Sequence, residues 1–124
     1  MNIDDIAVPL DVNKNSEAEY RKNFYEITRG SGNLMLFAGD QKIEHLNKDF
    51  YGDDIHPDDN QPIHFFNIAR EANIGVFATQ LGLLARFGAD CKEVPFLVKL
   101  NSKTNLVKTD QMDPFSNQLI DVEQ

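Results

Sequence analysis

Apolar residues in this chain fall into two patterns, short unbroken runs and sets spaced at helical intervals. The unbroken runs are 34–38, 74–79 and 94–100. Apolarity without alternation predicts strands covered on both faces. Between the runs the spacing changes to that of helices. Ser16 with Glu19 has the form of a capping box; Tyr20, Phe24 and Ile27 follow on one stripe, and Gly30 stands at the expected stop. A second helix is predicted from Pro62, with Phe65, Ile68, Ala69 and Ala72 on one buried face. Leu81, Leu84 and Ala85, closed by Gly88, predict a brief third helix. A last helix is expected from Asp113-Pro114, with Phe115, Leu119 and Val122 on one side, and its pattern still runs at Gln124. Residues 1–15, with Pro9 and several Asn and Asp, read as an extended arm. The Asp-rich stretch 46–61, with Gly52 and Pro57, reads as a long loop.

Three buried-type strands alternating with helices predict an α/β fold of right-handed βαβ units. The expected architecture is a partial (β/α)8 barrel, roughly its first three β/α units, preceded by the arm and one helix. No repeat, low-complexity tract or linker divides the chain, so 1–124 reads as one domain. Three parallel strands leave two open edges, so the sequence reads as part of something larger.

Composition narrows the partners. A net charge of −8 and a pI near 4.7 argue against nucleic acid or an anionic membrane as a partner, since both need a basic face. A single cysteine, Cys91, excludes an internal disulfide and fits a reducing compartment. The acidic start (Asp4, Asp5) lacks the apolar run of a secretory signal, and no window reaches the ~20 apolar residues of a membrane span. The expected location is the cytoplasm.

The densest chemistry follows the first run directly, in Gly39-Asp40-Gln41-Lys42-Ile43-Glu44-His45. Ligands of parallel α/β folds bind beyond the carboxyl ends of strands, where the loops converge. Asp40 would be the first side chain at that mouth, placed to exchange a proton with a substrate hydroxyl. Asp after a strand also caps helical turns, and that reading stays open. Thr79-Gln80 and the stretch 99–104 follow the other two runs and would face the same mouth. Lys99 alternates with Val98 and Leu100, so it can point inside a barrel, either as an amine nucleophile or as the ion-pair partner of an acid. Asp40, Glu44, His45, His56 and His64 match no metal-site spacing. No phosphate loop or dinucleotide-binding glycine motif is present, and Asp53, Asp54, Asp58 and Asp59 lack the glycine of a calcium loop.

Residues 34–49 (Leu-Met-Leu-Phe-Ala-Gly-Asp-Gln-Lys-Ile-Glu-His-Leu-Asn-Lys-Asp) resemble the opening strand of the archaeal-type class I fructose-bisphosphate aldolases. The resemblance continues through 74–82 and 98–104 and covers nearly all of 20–124. It implies an eight-stranded barrel without a cofactor, in which a lysine on the sixth strand forms a Schiff base with a phosphorylated ketose. Asp40 matches the aspartate used for substrate hydroxyl contacts and acid–base work, and His45 a second contributor to the mouth. Gln80, Lys99 and Asn101 would contact substrate. Gln41-Lys42 stands where many relatives carry His-Gly. The Schiff-base lysine's strand and the late phosphate-binding loops are not in this chain, and Lys99 does not match the nucleophile position. The resemblance thus implies the N-terminal portion of a glycolytic or gluconeogenic lyase, homo-oligomeric when full-length and inactive as these 124 residues. Two other readings stand beside it, a non-catalytic partial barrel that pairs with another chain and a small-molecule binding domain.

Overall fold

A computed structural model describes residues 1–41, 50–102 and 117–122. Helix α1 (Glu17–Ile27) comes first, then strand β1 (Leu36–Ala38), helix α2 (Pro62–Glu71) and strand β2 (Val76–Gln80). Helix α3 (Leu81–Phe87) follows β2 without a gap, and strand β3 (Phe96–Lys99) comes after it. β1, β2 and β3 form one parallel sheet in that order, with Phe37 level with Phe77 and Phe77 level with Phe96. The strands are shorter than their apolar runs because the first residues of each run approach or leave the ladder. Met35 is 63% exposed, for example.

The register sorts the strand residues onto two faces. Phe37, Phe77 and Phe96 point towards α2 and α3. Phe77 meets Phe66 of α2 edge-on with ring centroids 5.1 Å apart, and Phe37 stacks on Phe77 at 5.2 Å. Phe66, Phe77 and Cys91 are almost wholly buried there, with Leu83 and Phe87 of α3 packed against them. The other face carries Leu36, Ala38, Ala78 and Leu97, and it is open: Leu36 is 42% and Leu97 46% exposed. Its lower end is closed by α1. Ile27 and Val76 line one cavity there, and the backbone approach is so close that a Cβ on Gly75 would lie 1.7 Å from the Ile27 carbonyl oxygen.

Several sequence expectations are corrected. Ser16 makes no side-chain cap. Asn13 instead accepts from the Asn15 amide at 2.9 Å and starts a 3-10 turn, Lys14–Ser16, that runs straight into α1. Gly30 does end this region in the left-handed conformation (φ 70°), its amide donating to the Tyr25 carbonyl. The buried stripe of α2 is Phe66 and Ala69, whereas Ile68 is exposed and Phe65 and Ala72 only half-buried. The helix is turned so that Phe66, rather than Phe65, enters the aromatic core. Within the expected loop, Pro57–Asn60 forms a 3-10 helix capped by His56. Of the expected last helix, 113–116 lie outside the described residues. Asn117–Gln118 is an antiparallel strand, β5, paired with β4 (Asn101–Ser102). The Leu119 and Ile120 amides then donate to Leu100, so they are committed to a ladder rather than a helix. The arm is mostly extended, with a 3-10 turn at Ile3–Asp5 and Ile6 buried. Among the described residues no helix is long and apolar enough to cross a membrane.

Candidate active site

At the carboxyl end of the sheet, three polar residues from three successive strands fall in one row. Gln80 is level with Lys99 in the β2–β3 register, and Asp40 lies two residues past Ala38, itself level with Ala78. All three project from the open face, beyond the small side chains of Ala38 and Ala78. The Lys99 ammonium donates to Asp40 Oδ2 at 2.8 Å, with the two side chains 25% and 20% exposed. Lys99 reaches that carboxylate across β2, about 10 Å at two inter-strand spacings, so its chain must be extended. Gln80 Nε2 makes a long hydrogen bond, 3.4 Å, to the Asp40 carbonyl. A carbonyl oxygen only accepts, so this bond fixes which way round the Gln80 amide stands. Its Oε1 is buried with no partner among the described residues.

Beside this row opens a cavity of about 310 Å³, with Gln80, Lys99 and Asn101 on its polar side and Leu81, Leu83 and Leu119 among its apolar walls. The leucines were not legible as lining. Leu119 in particular is read as a helix-face residue until the β4–β5 ladder places it here. Four of the five site residues expected from sequence, Asp40, Gln80, Lys99 and Asn101, are therefore gathered at one mouth. The fifth, His45, lies outside the described residues.

Among the described residues, His56, His64 and Cys91 lie outside the lining of this cavity. His56 and His64 stack with ring centroids 6.2 Å apart, and His64 Nε2 lies 3.3 Å from Asp59 Oδ1. The His56 Nδ1 accepts from the Asp58 amide. Among the described residues no group of three or more His, Cys, Asp or Glu is placed to hold a metal ion. Cys91 is buried under α2 with its thiol towards the Phe66 carbonyl, and burial, with Glu93 and Asp90 nearby, pushes that thiol above its ordinary range against the lowering influence of Arg70.

Comparison with known proteins bears on the family and the fold. Residues 34–124 match the model of the DeoC/LacD family aldolases. The chain is 57% identical over 118 residues to a fructose-bisphosphate aldolase/6-deoxy-5-ketofructose 1-phosphate synthase of Methanocaldococcus jannaschii, covering 95% of this chain and 37% of that protein. It superposes on a fructose-bisphosphate aldolase from Slackia heliotrinireducens with a TM-score of 0.91 at 52% identity, covering 99% of this chain and 39% of that one. The chain thus spans less than two fifths of the length of either relative. Its parallel α/β sheet matches part of an aldolase structure, and the family model takes in β1 through β5 with the Asp40–Lys99 row. The chain belongs to the DeoC/LacD aldolase family.

Proposed function

We propose that these residues form the N-terminal part of a class I, Schiff-base fructose-bisphosphate aldolase, roughly its first three β/α units. The observation that carries the reading is the row of Asp40, Gln80 and Lys99 at the carboxyl end of a parallel sheet, where such barrels place their chemistry. The substrate is a phosphorylated ketose, in keeping with the sugar phosphates named for the Methanocaldococcus relative. A lysine outside these residues forms an iminium with the ketone. Asp40 takes the proton from the substrate hydroxyl β to that iminium as the carbon–carbon bond breaks. The bonding pair flows to the iminium and leaves an enamine, and the aldehyde departs. Gln80 and Asn101 contact substrate hydroxyls at the mouth, with His45 a second contributor. No cofactor enters this chemistry. The whole enzyme is cytoplasmic and homo-oligomeric, and neither nucleic acid nor membrane is its partner.

Borohydride trapping with fructose 1,6-bisphosphate tests this directly. Protein expressed from the complete reading frame should be labelled on a lysine, and the 124-residue chain should not. Absence of an adduct in the complete protein would overturn the reading, as would a label on the 124-residue chain for the claim that this piece is inactive alone.

The open sheet face favours a second reading, a partial barrel whose edges pair with another chain or whose mouth binds a small molecule without chemistry. Light scattering of the 124-residue chain separates the pairing form of it, since a clean monomer counts against edge assembly.

A further inference from the structure

We infer that Lys99 is a positioning residue, whose contribution to catalysis runs through Asp40 rather than through its own contact with substrate. The inference rests on the reading of Asp40 as the proton-transfer group. Asp40 needs an external anchor because of where it stands. The β1 ladder ends at Ala38, and the last backbone bond on that side runs from the Gly39 amide to Ala78. Asp40 therefore follows a glycine and lies one residue beyond the last ladder bond, so the sheet itself does not fix its carboxylate. Side chains from the other two strands anchor the residue. Gln80 of β2 holds the Asp40 carbonyl, and Lys99 of β3 holds Oδ2 at 2.8 Å.

The reach of Lys99 argues for the same role. Its side chain is already extended across β2 to the carboxylate, so its ammonium sits beside Asp40 rather than deeper in the mouth. A neighbouring carboxylate also favours the protonated ammonium, which has no lone pair with which to attack a carbonyl. Lys99 instead locks two strands of the row together, and a misplacement of about 1 Å at a reacting group can cost about 100-fold in rate.

A double-mutant cycle on the protein expressed from its complete reading frame tests this, with fructose 1,6-bisphosphate cleavage as the readout. Lys99→Met should lower kcat about 10- to 100-fold with little change in KM. Asp40→Asn should cost more, and adding Lys99→Met to it should cost nothing further. Lys99→Arg, which keeps the charge and the reach, should recover part of the lost kcat. The borohydride adduct should persist in Lys99→Met, which also reports that the variant is folded. Losses that multiply in the double variant, a rise in KM alone, or disappearance of the adduct with Lys99 would each overturn the proposal. Those outcomes presuppose an active wild type. A wild-type protein that neither cleaves nor traps the substrate overturns the aldolase reading itself, and this role with it.

Discussion

The two faces of the β1–β2–β3 sheet are both apolar along most of their length, yet they are in different states. Towards α2 and α3, Phe77 and Thr79 are fully buried, and Phe37, Phe66 and Phe96 close around Phe77. On the opposite face Leu36 and Leu97 are each more than two-fifths exposed, and the row at the top is polar. Composition does not explain the difference, since leucine is as apolar as phenylalanine for this purpose. What differs is the presence of a partner layer. An unbroken apolar run records that both faces are meant for burial, and here helices supply one cover while α1 closes only the lower end of the other. The face left open is also the one that carries Asp40, Gln80 and Lys99. On the reading proposed above that face is the interior of a closed barrel, so the candidate site and the open surface coincide.

That asymmetry makes sharp demands on substitutions. Phe77→Ala removes a ring from the centre of the packed face and should cost about 3–5 kcal/mol, read from urea denaturation. Leu97→Asp, one strand away on the open face, should change the stability of the 124-residue chain by no more than about 0.5 kcal/mol. In protein from the complete reading frame the same change should cost several times more, because the aspartate would then be buried without a partner. Equal costs for Phe77→Ala and Leu97→Asp in the short chain would break the comparison. A smaller effect is expected at the join between α1 and the sheet. Gly75→Ala places a methyl 1.7 Å from the Ile27 carbonyl oxygen, so α1 must shift away. The expected cost is about 1–3 kcal/mol.

How much of this was legible in the sequence depends on the range of the forces involved. The strands, the helix beginning at Pro62 and the mouth position of Asp40 follow from local periodicity and from the rule that parallel strands end at a site. The rotation of α2, which buries Phe66 and leaves Ile68 exposed, does not. Adjacent phenylalanines at 65 and 66 fit two helical stripes equally well, and the choice is made by Phe77 and Phe96 across the interface. Leu119 and Val122 have helical spacing, but the Leu100 carbonyl captures the amides that follow β5. The sequence also places Lys99 inside the mouth without choosing between nucleophile and ion-pair partner. Its pairing with Asp40 across β2 depends on a contact between residues 59 apart, which no local pattern encodes.

A last effect again separates the sealed face from the open one, through Cys91. Burial raises this thiol above its ordinary range, with Glu93 and Asp90 adding to the rise and Arg70 opposing it. The unfolded chain therefore loses the thiol proton at lower pH than the folded chain does. Below the ordinary thiol range both states hold the proton, and the contribution to stability is fully present. As pH climbs through that range the unfolded state ionises first, and stability falls until the folded thiol also ionises. Urea midpoints should accordingly decline as pH rises past the ordinary thiol value of about 8.5, with a slope from this group of at most about 1.4 kcal/mol per pH unit. Cys91→Ala should remove that component of the decline while lowering stability at neutral pH through the small cavity it leaves beside Phe66. An unchanged pH slope in the alanine variant would mean that the packed face admits water at Cys91, and that the two faces differ less in sealing than the burial of Phe66 and Phe77 implies.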